Sequence, residues 1–103
     1  MLVDDAQIES AYNMLIEIRS LLEKENENNW RRGIDAAISE MTNQDGTLNK
    51  IGFENARSIY KTMTAGGRGF SEYYIWKNNE NDRIAENKRL DNLRAKAWEI
   101  LGK

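Results

Sequence analysis

Gly66, Gly67, Arg68 and Gly69 stand together, three glycines in four positions. Successive amides in such a turn can face an anion, and Arg68 would add positive charge. A phosphate loop asks for more: a lysine followed by serine or threonine, with a strand before it and a helix after. That lysine is missing, and the residues before Gly66 follow a helical pattern. Paired carboxylates are a second candidate, since two acids in different environments can divide acid and base roles. Glu9, Glu17 and Glu23 lie opposite the apolar stripe of the first helical segment, where acids are solvated and ordinary. The chain has no histidine and no cysteine. This removes the commonest metal ligand, the usual base near neutral pH and all thiol chemistry. The expectation is no catalytic residue, no metal ligand set and no cofactor.

The glycines also have a mechanical use. They let the backbone pass close to a helix, with one of Gly66 and Gly67 closing the preceding helix in the left-handed conformation. Phe70 then plugs the core, and Ser71 can cap a short helical turn, SEYYIW, with Glu72 in its first turn. Tyr73, Tyr74, Ile75 and Trp76 are too many for one side of a single turn. Some fill the core or some meet a partner, and neighbouring exposed aromatics commonly mark a contact surface. Tyr73, Tyr74 and Trp76 are therefore candidate contact residues. Glu9, Glu17 and Glu23 join them, because an acidic face suits a basic partner.

The elements that must position these residues follow from periodicity. In DDAQIESAYNMLIEIRSLLEKENE, Ile8, Ala11, Leu15, Ile18 and Leu22 recur at helical spacing, with Tyr12 and Leu21 widening the stripe. Asp4 or Asp5 can cap its start, and Asn28 or Asn29 the start of the next helix. In NWRRGIDAAISEMTN, Trp30, Ile34, Ala37, Ile38 and Met41 share a face, and Gly33 marks close helix approach. The run NQDGTLN turns the chain through Asn43, Asp45 and Gly46. NKIGFENARSIYKTM carries Ile51 or Phe53, then Ala56, Ile59 or Tyr60, and Met63. The last segment, NDRIAENKRLDNLRAKAWEILG, traces Ile84, Asn87, Leu90 or Asp91, Leu93 or Arg94, Ala97, Trp98 and Leu101. Asn87 is the polar member of that stripe and must find partners if buried. A tie from Asn87 to the backbone of the glycine loop would supply them.

The chain has 103 residues, the size of one domain, with 40% hydrophobic residues including Trp30, Trp76 and Trp98. Net charge is -2, unevenly spread. Residues 1–30 carry seven acids against two bases, residues 31–60 four against four, and residues 61–103 six against nine. Lys88, Arg89, Arg94 and Lys96 are interrupted by Glu86, Asp91 and Glu99, which points away from direct nucleic-acid binding. No apolar run approaches a membrane span, so a cytoplasmic protein is expected.

The C-terminal third, GGRGFSEYYIWKNNENDRIAENKRLDNLRAKAWEI, resembles an uncharacterised bacterial family of small helical proteins. Its members show a Gly-Gly-x-Gly turn followed by Ser-Phe and a polar pair, then a helix of the form Asn-x-x-Leu-x-x-Leu-Arg. The matching positions are Gly66, Gly67, Gly69, Phe70, Asn87, Leu90, Leu93, Arg94 and Trp98. Phe70 precedes Ser71 here, reversing the family's order. Gly66, Gly67, Gly69, Phe70, Asn87 and Trp98 are the expected structural positions, and the resemblance favours binding over catalysis.

The expectation is an all-α chain, one four-helix, bundle-like, up-and-down domain over residues 1–103. A glycine-rich connection precedes the last helix, with an extra turn around residues 70–76. The expected function is protein binding: an immunity-like module that neutralises or modulates a bacterial protein partner, with room for homo-oligomers. The alternative is an acidic phage or mobile-element inhibitor of a nucleic-acid-binding enzyme.

Overall fold

Asp4 opens the first helix, α1 (Asp5–Lys24), through a reciprocal cap. Its carboxylate accepts the Gln7 N–H at 2.8 Å, while Gln7 Oε1 accepts the Asp4 N–H at 3.0 Å. The structure is a computed structural model and describes residues 4–65 and 69–102. The second helix, α2 (Asn28–Glu40), is capped by Glu27 rather than by Asn28 or Asn29. The Glu27 carboxylate accepts the N–H groups of Asn29 and Trp30 at 2.9 and 3.2 Å, and its charge suits the positive helix end.

After α2, Asn43, Asp45 and Gly46 turn the chain as their types predict. Asp45 accepts from the N–H and hydroxyl of Thr47, and Gly46 adopts φ +89°. Those two hydrogen bonds hold the Asp45 carboxyl below its usual range. A 3-10 turn (Lys50–Gly52) leads into α3 (Phe53–Thr64), burying Phe53 and leaving Ile51 exposed. Asn79 caps α4 (Glu80–Leu101) by accepting the Asp82 N–H at 3.0 Å.

The four helices form an all-α bundle. α1 packs on α2 and α4, α2 packs on α3, and α3 returns to α4. α1 supplies Ile8, Ala11, Leu15, Ile18, Leu21 and Leu22 to the core, the stripe read from its spacing. Met14 and Ile16, off that narrow seam, are partly buried against the core's margin, so the face is broad. Among the described residues there is no strand; one isolated antiparallel bridge joins Thr42 to Leu48. Among them, too, no helix is long and apolar enough to cross a membrane.

Two glycines show opposite reasons for being small. A Cβ on Gly33 would lie 2.9 Å from Met63 Sδ, the far end of a flexible side chain on α3. Gly33→Ala is therefore expected to raise stability by up to about 1 kcal/mol, since the thioether can swing aside and the helix interior gains. A Cβ on Gly69 would lie 2.5 Å from the Ala65 carbonyl and 2.9 Å from those of Met63 and Thr64. Backbone cannot swing aside, so Gly69→Ala is expected to cost about 1–3 kcal/mol. Urea denaturation of the two variants checks both signs.

Candidate functional site

Gly69, seated on the last carbonyls of α3, delivers the chain to Phe70, which is completely buried. Phe70 is the meeting point of the fold. Its ring centroid lies 5.8 Å from Trp30 of α2, 6.4 Å from Tyr60 of α3 and 6.3 Å from Tyr73. The Arg94 guanidinium of α4 sits 5.4 Å from the same centroid, a cation–π contact. Gly69 and Phe70 thus act as a packed corner. Gly66 and Gly67 lie outside the described residues.

The rest of the segment departs from the expected helical turn. Only Phe70–Glu72 forms a 3-10 turn, and Ser71 does not cap it; its hydroxyl donates to the Thr64 carbonyl at 3.0 Å. From Tyr73 onward, at φ -63° and ψ 136°, no helix forms before Glu80. The cause lies on α4. Arg94 Nη1 donates to the carbonyls of Phe70 and Tyr73, the latter at 2.9 Å. Asn87 accepts the Ile75 N–H and donates to the Ile75 carbonyl, both at 2.8 Å, and also donates to the Arg83 carbonyl at 2.8 Å. Arg83 Nη1 donates to the Lys77 carbonyl at 3.2 Å. Three α4 side chains thus hold carbonyls 73, 75 and 77 in reverse order, and the strap runs antiparallel to the helix. Asn87 was expected to hold the glycine loop; it holds Ile75 instead.

The strap's side chains divide accordingly. Ile75 is buried and Tyr73 half-buried, while Tyr74 is 57% and Trp76 69% exposed. The Arg83 guanidinium lies 4.7 Å from the Trp76 ring centroid. Lys77 pairs with Glu25 at the end of α1 at 2.8 Å, and that contact raises the lysine's pKa. Burial, then Glu27 and Glu25, pushes the Tyr73 phenol up.

Comparison with family models, curated proteins and solved structures returned no match to this chain.

The acids on α1 do not converge. Glu9 is exposed, Glu17 borders a cleft with Lys88, Arg89 and Lys96 of α4, and Glu23 lies 3.8 Å from Arg19. α4 carries five acids and five bases, and its ion pair with α1 joins a base of the first helix to an acid of the last, Lys24 and Glu86 at 3.2 Å. Among the described residues, no group of three or more acids could hold a metal ion.

Trp98 is not a core residue: it is 43% exposed and covers Gly102. With Tyr60 and Ala95 it walls an open groove of about 460 Å³, rimmed by Thr64, Ser71 and Asp91. The groove's polar groups are committed. Thr64 Oγ1 donates to the Tyr60 carbonyl at 2.9 Å, Ser71 holds Thr64, and Asp91 orients Arg94 at 2.6 Å.

Burial pushes the Tyr60 phenol up to about 12 despite the opposing charge of Arg94. A raised folded-state pKa means that stability is complete below pH ~10, where the unfolded phenol is still protonated, and is lost above it. Stability is therefore expected to fall between pH ~10 and ~12 by on the order of 2 kcal/mol more in the parent than in Tyr60→Phe. Urea midpoints of the two proteins across that range measure the difference.

Sequence reasoning missed Arg83 and Arg94 as backbone clamps. A signal was present: Arg83, Asn87, Leu90, Arg94, Ala97 and Leu101 are spaced by alternating fours and threes. A strict seam along α4 passes through all of them, whereas Ile84 and Trp98, taken as stripe members, lie outside it and are exposed.

Proposed function

We propose that this domain is a protein-binding module, immunity-like in neutralising or modulating its partner, and that it makes contact through Tyr74 and Trp76. One observation carries this reading: two large aromatic rings stand outward on a strap whose opposite side is fastened to α4. Aromatic anchors dominate binding energy at protein interfaces, and a fastened strap loses little freedom on binding. The rival reading, an acidic inhibitor of a nucleic-acid-binding enzyme, asks for a continuous acidic face. Glu17 beside three bases and Glu23 beside Arg19 give it less support.

Affinity capture from the native host, with mass spectrometry, tests the proposal. The parent should retain a discrete protein that a Tyr74→Ala/Trp76→Ala double variant releases at least about thirtyfold more readily, the scale of an interface anchor. A folded double variant that captures the same protein equally well removes the proposed surface. An empty capture across growth conditions removes the proposed function.

A further inference from the structure

We infer that the strap receives its partner as an added β-strand, an extended cationic segment that pairs with the backbone of Tyr74 and Trp76. The inference rests on the protein-binding reading and specifies the mode of contact. Asn87 engages both the N–H and the C=O of Ile75, so both point toward α4. The carbonyls of Tyr73 and Lys77 point the same way, toward Arg94 and Arg83. In an extended chain successive residues direct these groups to opposite edges. The N–H and C=O groups of Tyr74 and Trp76 therefore belong to the edge facing away from α4. Among the described residues, no hydrogen bond reaches any of these four groups.

Exposed strand edges are ordinarily blunted by lysine, proline or a bulge. Here the edge residues are a tyrosine and a tryptophan, whose rings offer a cross-strand neighbour a surface to pack on. Charge identifies that neighbour. Glu72 precedes the edge, and Glu80 and Asp82 follow it, all exposed and all without an ion pair among the described residues. Lys77 is matched by Glu25, and Arg83 is occupied by Trp76 and the Lys77 carbonyl. Both ends of the edge are negative, so the complementary segment carries lysine or arginine between apolar residues. A second copy of this chain would bring the same carboxylates against each other.

Amide hydrogen exchange of the isotope-labelled full chain, read by NMR, tests the pairing. The probe is a short capped peptide alternating lysine with valine; one control replaces lysine with glutamate. A second control carries N-methyl groups on three consecutive central residues, which removes donors from both of its edges. In the free protein the Ile75 amide should exchange slowly and those of Tyr74 and Trp76 quickly. The lysine peptide should slow the Tyr74 and Trp76 amides by about tenfold or more, and neither control should. No slowing, or equal slowing by the N-methylated peptide, overturns strand addition. Slowing that rises with protein concentration alone overturns it in favour of a second copy. Partner capture that depends on Tyr74 and Trp76 without any such slowing keeps the protein-binding reading and discards this one.

Discussion

Phe70→Ala is expected to lower stability by about 3–5 kcal/mol, a large share of the roughly 5–15 kcal/mol that holds such a domain together. The ring is fully buried and touches aromatic side chains from two helices and the strap. Removing it leaves a cavity bordered by Trp30, Tyr60 and Tyr73, three stiff groups that collapse poorly into empty space. It also takes the π face from beneath Arg94, whose guanidinium is fixed by the carbonyls of Phe70 and Tyr73 and by Asp91. Phe70→Leu keeps part of the volume and should recover a good part of the loss. The measurement is the urea midpoint, with an unchanged slope showing that the two-state transition persists. A loss below about 1 kcal/mol in Phe70→Ala would mean that the four elements do not depend on their shared ring.

The first three helices were legible because each buries one stripe at its own period. Ile8 to Leu22 needs no knowledge of the rest of the chain, nor does an aspartate cap at its start. Glu27 was less obvious: Asn28 and Asn29 are better caps by type, yet the longer carboxylate just before them accepts from Asn29 and Trp30 and starts the helix earlier. The tail was misread for a different reason. Tyr73, Tyr74, Ile75 and Trp76 are residues that favour extended backbone, yet an isolated extended segment cannot satisfy its own N–H and C=O groups. Whether it stays extended depends on donors and acceptors elsewhere, and these sit at Arg83, Asn87 and Arg94, from six to 24 residues away along the chain. Asn87 was recognisable as a polar residue on an apolar face, and its need for partners followed. Which backbone group it would hold did not, because that depends on how far Phe70 draws the chain into the core.

Asn87→Ala is expected to cost about 2–4 kcal/mol, because it removes one amide and strands the buried backbone groups that amide served. The Ile75 N–H and C=O then have neither water nor a partner unless the strap lifts away from α4. Refilling the volume should not help: Asn87→Leu restores apolar contact but leaves both Ile75 groups unmet, so its loss should be similar. Asn87→Asp keeps an acceptor for the Ile75 N–H, loses both donated bonds and adds a buried charge, so it should fare no better. The consequence is also local. The Ile75 amide should lose most of its exchange protection in Asn87→Ala, while amides in the middle of α1 fall only by the global change. Because the strap carries Tyr74 and Trp76, its loosening should weaken partner capture although neither ring has been altered, as ordering the strap becomes part of the cost of binding. An Asn87→Leu protein as stable as the parent, with Ile75 still slow to exchange, would show that apolar packing alone holds the strap in place.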